Sequence, residues 1–217
     1  SQIKILWTLH DCWAFTGHCA QFSAAKCDRW KSGCGDCPQL KAYPKTYGVD
    51  HTQRNYRQKQ VCFTGLANLK IIVPSKWLAG VVKQSFLKEY PVKVLHNQID
   101  KSLFKPTPSG FREQYGLDGK TVILGAASVW DKEKGLLDFC RLREKLDSRF
   151  AIVLVGVTEK QKRKLLSGIL ALPRTASPGE LAKIYSAADV FVNPTHQDTY
   201  PTVNLEARAC GTPVITY

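Results

Sequence analysis

Methionine is absent from all 217 residues, position 1 included. The chain opens on a strand-like run, Ile3-Lys4-Ile5-Leu6-Trp7-Thr8-Leu9, and stops on another, Pro213-Val214-Ile215-Thr216-Tyr217. It therefore reads as a fragment of a longer protein. No apolar run approaches the ~20 residues of a membrane span, which excludes an integral helical membrane protein. No N-terminal stretch pairs a basic region with an apolar core, as a secretion signal does. There is no internal repeat and no low-complexity tract. Acidic residues are scarce, with 18 Asp and Glu against 31 Lys and Arg, a net charge of +13. Hydrophobic residues make up 44%, ample for a packed core and too many for a disordered chain.

The positive charge is uneven. Residues 1–106 hold 16 bases and 6 acids (net +10), and residues 107–217 hold 15 and 12 (net +3). Such a field attracts nucleic acid, anionic lipid or phosphorylated ligands, or it simply keeps the surface soluble.

The pattern alternates strands and helices. An irregular Cys- and Gly-containing stretch covers residues 11–50, then a polar helix covers 51–63. Lys70-Ile71-Ile72-Val73-Pro74 is a short buried strand. Ser75 is placed to cap a helix with Trp77, Leu78, Val81, Val82 and Phe86 on one face, ended by Pro91. Val92-Lys93-Val94-Leu95 is a further strand. Residues 97–120, with Pro106-Thr107-Pro108-Ser109-Gly110, read as a linker. Beyond it come strands at 121–124, 151–155, 190–192 and 213–215. A helix carries Leu136, Phe139, Cys140 and Leu146, and another opens on the capping box Ser177-Pro178-Gly179-Glu180. The expected fold is α/β: two doubly wound units, residues 1–106 and 107–217.

Chemistry concentrates near the end. In Asn193-Pro194-Thr195-His196-Gln197-Asp198-Thr199-Tyr200-Pro201-Thr202-Val203-Asn204-Leu205-Glu206 a strand ends near Asn193, a loop holds Asp198, and a helix starts near Thr202 with Glu206 one turn in. Open α/β sheets bind ligands beyond the carboxyl ends of their strands. The free N–H groups of Thr202 and Val203 suit a phosphate there, and Asp198 and Glu206 suit sugar hydroxyls.

These residues, with Leu205-Glu206-Ala207 and Cys210-Gly211-Thr212-Pro213-Val214-Ile215, resemble family 4 of the retaining glycosyltransferases of the GT-B fold. The mark is two acids separated by seven residues, a small-residue helix and Gly-x-Pro-Val. Asp198 stands where the family more often has Glu. The resemblance implies that Glu206 holds the nucleotide ribose, that Asp198 contacts the donor sugar, and that amides near Thr202 and Val203 hold the diphosphate. It extends to Ile71-Ile72-Val73-Pro74-Ser75-Lys76-Trp77-Leu78 and to Val94-Leu95-His96-Asn97-Gln98-Ile99-Asp100. In the latter, Gln98 replaces a usual Gly, and a positive φ at that position would strain it. Leu124-Gly125-Ala126-Ala127-Ser128 leading to Lys134-Gly135 resembles the donor phosphate loop. Lys134 matches the family's Lys. The usual Arg is absent, with Ser128 or Val129 in its place, and Lys132 is a candidate substitute. Both units would be incomplete Rossmann-like domains: the acceptor-side lobe and the nucleotide-sugar lobe.

His10 closes the first strand, where a crevice ligand would reach it, and the family has a matching His near the donor sugar. Asp11 is placed to fix its tautomer or orient an acceptor hydroxyl; a structural His–Asp pair is the plainer alternative. Cys34-Gly35-Asp36-Cys37 is a C-x-x-C knuckle, and Cys19 and Cys27 complete a four-thiolate set for structural Zn²⁺, with Cys12 or His18 as substitutes. Disulfides and plain buried thiols are the other readings. Cys62, Cys140 and Cys210 look like core. The pattern His10-Asp11-x-Trp13 to Gly17-x-Cys19, then Cys27, Trp30 and Cys34-x-x-Cys37-Pro38, resembles a branch of family 4 that builds colanic-acid-like, capsular or O-antigen polysaccharides.

The resemblance implies transfer of a sugar, with retention, from a nucleotide-diphosphate donor to a lipid-linked acceptor at the inner face of the cytoplasmic membrane. It implies front-face attack with no metal cofactor, so any zinc would be structural, and inactivity for a fragment carrying half of each lobe. The rival reading is a basic zinc-knuckle protein binding nucleic acid with Trp7, Trp13 and Trp30. In that reading the Asp198/Glu206 motif has no role.

Overall fold

The computed structural model describes residues 3–217, which form two compact units. The first comprises residues up to Asn97 together with Gln197–Tyr200, and the second comprises Gln98–His196 and Pro201–Tyr217.

In the first unit, strands β1 (Ile5–Thr8), β2 (Leu69–Val73) and β3 (Val92–Val94) make a parallel sheet in the order β1-β2-β3. Ile5 pairs with Leu69 and Ile71 with Val92. Leu69, Ile71 and Val73 are buried on one face of the central strand, as period-2 alternation requires. Between Thr8 and Thr52 the only regular structure is two 3-10 turns, Trp13–Phe15 and Arg29–Lys31. Aromatic packing holds this stretch: Phe22 stacks on Trp30 at 4.7 Å, and Phe15 lies 5.8 Å from the same ring. Gly17 is required here, since a Cβ would sit 2.1 Å from the Thr52 carbonyl oxygen.

Helix α1 (Thr52–Phe63) is polar, and it seats itself through a buried lysine rather than an apolar stripe. Thr52, Tyr56 and Lys59 face inward at i, i+4 and i+7. Lys59 Nζ donates to the Trp13 and Thr16 carbonyls at 2.6 and 2.9 Å and lies over the Trp13 ring. Burial lowers its pKa to about 8, with Cys34, Asp11 and Cys19 opposing the shift. Helix α2 (Lys76–Val82) starts as expected, with Ser75 Oγ accepting from Leu78 N–H at 3.2 Å. It stops well short of Pro91, so Phe86 falls on the following turns, and Trp77 faces solvent at 42% exposure.

The second unit has five parallel strands in the order β6-β5-β4-β7-β8. Its elements in chain order are α3 (Phe111–Gln114), β4 (Thr121–Ala126), α4 (Leu136–Lys145), β5 (Phe150–Val155), α5 (Glu159–Lys162), β6 (Ile169–Leu172), α6 (Pro178–Ala187), β7 (Val190–Asn193), α7 (Thr202–Ala209) and β8 (Val214–Thr216). Ala151 to Val155 of β5 are all buried, as a strand covered on both faces must be.

Residues 98–120 are not a free linker. Phe111 and Leu117 are buried in the second unit's core, Phe104 packs against it, and Arg112 pairs with Asp189 at 2.7 Å. Turn signals from Pro and Gly had concealed three widely spaced apolar anchors. For the same reason residues 98–106 cluster with the second unit. The edge strand β6 and the short α5 lie in a stretch where no element is expected from sequence. There Thr158 and Gln161 form a full capping box, while at α6 Ser177 caps Glu180 N–H and Glu180 reaches back to Ala176 N–H instead of the cap residue. Gln98 is not among the residues with positive φ, so the strain expected there does not arise.

Candidate functional site

Strands β4 and β7 are direct neighbours, with Ile123 opposite Val190 and Leu124 opposite Phe191. The loops that leave their carboxyl ends, residues 127–135 and from 194 onward, therefore emerge side by side, at the edge where α/β sheets bind ligands. They are tied together. His196 N–H donates to Glu133 O at 2.8 Å and Thr195 Oγ1 to the same oxygen at 3.3 Å. Gly135 adopts a left-handed φ of 75°, and a Cβ on it would stand 2.6 Å from Pro194 O, so only glycine lets the two backbones approach. Lys134 N–H donates to Asp131 Oδ1 at 2.8 Å, a tight turn that presents the half-buried Lys134 at this edge. Ser128 lies exposed in the same loop.

Helix α7 begins at Thr202 after Pro201, with no side chain capping it. Asn204 N–H donates to Pro201 O at 3.3 Å, whereas the Thr202 and Val203 amides ahead of it have no preceding helical carbonyl, and the macrodipole adds to their attraction for an anion. Asn193 Nδ2 donates to Asn204 Oδ1 at 2.8 Å and fixes the helix start against the end of β7. One turn in, Glu206 is half-buried and accepts from Tyr185 Oη at 3.1 Å. Burial raises the Glu206 carboxyl above its ordinary value, and the Tyr185 hydrogen bond partly opposes this. Burial likewise raises the Tyr185 hydroxyl far out of its usual range, so it remains a neutral donor.

The second unit thus gathers Ser128, Lys134, Thr202, Val203 and Glu206 on the loops and helix that follow β4 and β7. Asp198 lies in the segment that clusters with the first unit, and its Oδ1 accepts from Tyr200 N–H at 3.1 Å. His10 and Asp11 follow β1 in that unit. Among the described residues the exposed His10 ring makes no hydrogen bond, while Asp11 Oδ1 accepts from Trp13 N–H at 2.8 Å and opens a 3-10 turn. Tyr185 is a site residue that helical periodicity alone reads as core. The signal was available, since a buried tyrosine needs a partner for its hydroxyl.

All eight cysteines are free thiols. Cys210 is buried and Cys140 half-buried, but Cys62 is exposed on the outer face of α1, against the expectation of a core thiol. Cys19, Cys27, Cys34 and Cys37 line one cavity. Among the described residues no group of three or more His, Cys, Asp or Glu side chains already stands in metal-holding positions. Burial, with Cys37 beside it, pushes the Cys19 thiol up to about 12.

Two parallel α/β units, one of them with this arrangement at its strand ends, have the fold of the solved GT-B structures that the chain resembles. Residues 120–217 match the model of the family described as Glycosyl transferases group 1. The chain is homologous to WcaC of Escherichia coli (strain K12), a protein named as a colanic acid biosynthesis glycosyl transferase. The two are 26% identical over 229 residues, covering 98% of this chain and 51% of WcaC. It is also 26% identical over 165 residues to the alpha-galactosylglucosyldiacylglycerol synthase of Streptococcus pneumoniae (strain ATCC BAA-255 / R6), covering 67% of this chain and 42% of that one. In fold it matches Anabaena Alr3699/HepE, solved in complex with UDP-glucose, with a TM-score of 0.65 and 18% identity over 98% of this chain and 53% of the other. The chain spans about half the length of the curated relatives it matches.

Proposed function

We propose that this chain is part of a retaining glycosyltransferase that moves a sugar from a nucleotide-diphosphate donor to a hydroxyl on a lipid-linked saccharide, in the synthesis of a cell-surface polysaccharide. The observation that carries this reading is the half-buried Glu206, held by Tyr185 one turn into the uncapped helix α7 at the carboxyl ends of parallel strands. A carboxylate so placed accepts hydrogen bonds from a ribose, while the free amides of Thr202 and Val203 receive the diphosphate. Negative charge grows on the departing diphosphate as the glycosidic bond breaks. In this reading Lys134 and the helix N-terminus stabilise it without reorganising. In front-face transfer that phosphate also takes the acceptor's proton, which leaves the protein the tasks of positioning and electrostatics. Asp198 and His10 are assigned to the donor sugar, and Asp11 to the acceptor side.

The names of WcaC and the diacylglycerol glycoside synthase support acceptors of this type, and the UDP-glucose held by HepE supports the donor class. No helix among the described residues is long and apolar enough to cross a membrane. Residues 1–106, at +10, would be attracted to an anionic leaflet by ~1 kcal/mol per basic residue near the surface. A nucleic-acid role needs exposed stacking platforms. Trp30 is 3% exposed and Trp7 packs edge-on against Phe63 at 4.8 Å, which leaves Trp13, at 46% exposure, as the one open platform of the three.

Isothermal titration with UDP- and GDP-sugars tests the reading. Binding of one nucleotide class, weakened about tenfold or more by Glu206→Ala, is expected, a loss of ~1.4 kcal/mol. No heat with any nucleotide sugar, alongside salt-sensitive binding of RNA, would overturn it. Retention is checked on the full-length enzyme by the anomeric proton coupling of the first-formed product.

A further inference from the structure

The irregular segment between Thr8 and Thr52 has almost no regular secondary structure, yet it is folded around one point. Cys19, Cys27 and the two cysteines of the Cys34-x-x-Cys37 turn line one cavity. The open space at its centre is ≈ 20 Å³, enough for roughly one water-sized sphere and far too small for a sugar, a nucleotide or a metal–sulfur cluster. Gln39 bridges two of them, its backbone N–H reaching Cys37 Sγ and its side-chain amide Cys19 Sγ.

Backbone and side-chain N–H groups are aimed at the sulfurs. Gly17 N–H donates to Cys34 Sγ at 3.2 Å, Gln39 N–H to Cys37 Sγ at 3.4 Å, and Gln39 Nε2 to Cys19 Sγ at 3.2 Å. Such outer donors orient thiolate ligands and offset their charge. The C-x-x-C turn is braced from both sides. Arg29 donates to the Gly35 and Asp36 carbonyls, and Asp50 Oδ2 accepts from Cys37 N–H at 2.7 Å. Asp36 holds a left-handed φ of 43°, which an Asx residue tolerates in a tight knuckle. Four thiolates on a divalent ion leave two negative charges. The buried Lys59 ammonium, which interacts with Cys34 and Cys19, and the Arg29 guanidinium supply two positive ones.

We propose that Cys19, Cys27, Cys34 and Cys37 together bind one Zn²⁺ in a closed structural site that holds the irregular segment of the first unit. Four thiolate ligands suit zinc or iron–sulfur, and an open space of about one water-sized sphere suits the single ion. Binding draws the thiols inward onto the metal. Each gives its proton to solvent as its sulfur–zinc bond forms, so four protons leave per ion bound.

The test is metal analysis of the protein purified under reducing conditions. About one zinc per chain is expected, released in step with mercurial titration of four thiols. Exchange with Co²⁺ should give the intense thiolate charge-transfer absorption and the visible bands of a tetrahedral sulfur site, a readout on the unmutated chain that does not depend on any variant folding. Cys34→Ser and Cys37→Ser should lose the metal, and Cys62→Ser should keep it. Zinc below about a tenth of an equivalent, with no cobalt spectrum on reconstitution, overturns the proposal. So does iron with labile sulfide, or a disulfide between any of the four.

Discussion

In the second unit five parallel strands supply the core, and β5 is buried along nearly its whole length. In the first unit three strands do so, and the segment from Thr8 to Thr52 is organised by stacked aromatics, a buried lysine and a knot of thiols. The second unit therefore follows from periodicity, because regular elements bury their own backbone polar groups. The first must satisfy its irregular backbone one group at a time, with Asp50, Gln39, Arg29 and Lys59 each closing part of it. Divided by these units the charge is more even, 14 bases and 6 acids (+8) in the first against 17 and 12 (+5) in the second.

The largest expected effects come from the two glycines that approach a backbone carbonyl most closely. In Gly156→Ala the new Cβ would stand 1.8 Å from Ala127 O at a left-handed φ of 90°, and in Gly17→Ala it would stand 2.1 Å from Thr52 O. Each should destabilise its own unit by about 3 kcal/mol. Urea unfolding followed by tryptophan fluorescence and by hydrogen exchange would show it. If either substitution lowers both units equally, the contrast between two separately built cores fails.

Glu206→Gln should separate stability from function. The folded carboxyl lies above its ordinary value, so its contribution to stability is present below the unfolded carboxyl pKa and is lost as pH rises through the folded one. At neutral pH the charged Glu206 is therefore a liability that glutamine removes. Thermal melts from pH 4 to 8 should show an unchanged or higher midpoint for the variant at pH 7, while donor affinity falls about tenfold. A lower midpoint at pH 7 would mean that Glu206 is simply a structural anchor.

The smallest effects concern helix starts, one in each unit. Ser75→Ala and Thr158→Ala each remove a side-chain cap and should cost about 1 kcal/mol. A loss at Thr158 well below that at Ser75, measured by denaturant midpoint, would show that the four-residue α5 depends on its cap less than the longer α2.

Much of the second unit was legible because hydrophobic runs at 121–124, 151–155 and 190–192 have strand length and are bounded by turn residues. The helix from Thr202 and the position of Glu206 on it were legible for the same reason. Residues 98–120 were not, because Phe104, Phe111 and Leu117 are too far apart for any local period and gain meaning only from the core they enter. The edge strand β6 escaped because Ile169-Leu170-Ala171-Leu172 is as good a helix as a strand until it pairs with β5.

Amino-acid order alone settles the types of the longer elements, the α/β alternation, the helix start with Glu206 one turn in, and the spacing of the four cysteines. All of these are local, set by repeats of two or 3.6 residues and by neighbours within a turn. Tertiary structure alone decides that Tyr185 holds Glu206, that Gly135 lies against Pro194, that Lys59 is buried under Trp13, and that Cys19, Cys27, Cys34 and Cys37 converge on one cavity. These are meetings between residues distant in the chain, and which of them form is decided by how burial and hydrogen-bond satisfaction are achieved for the whole unit at once.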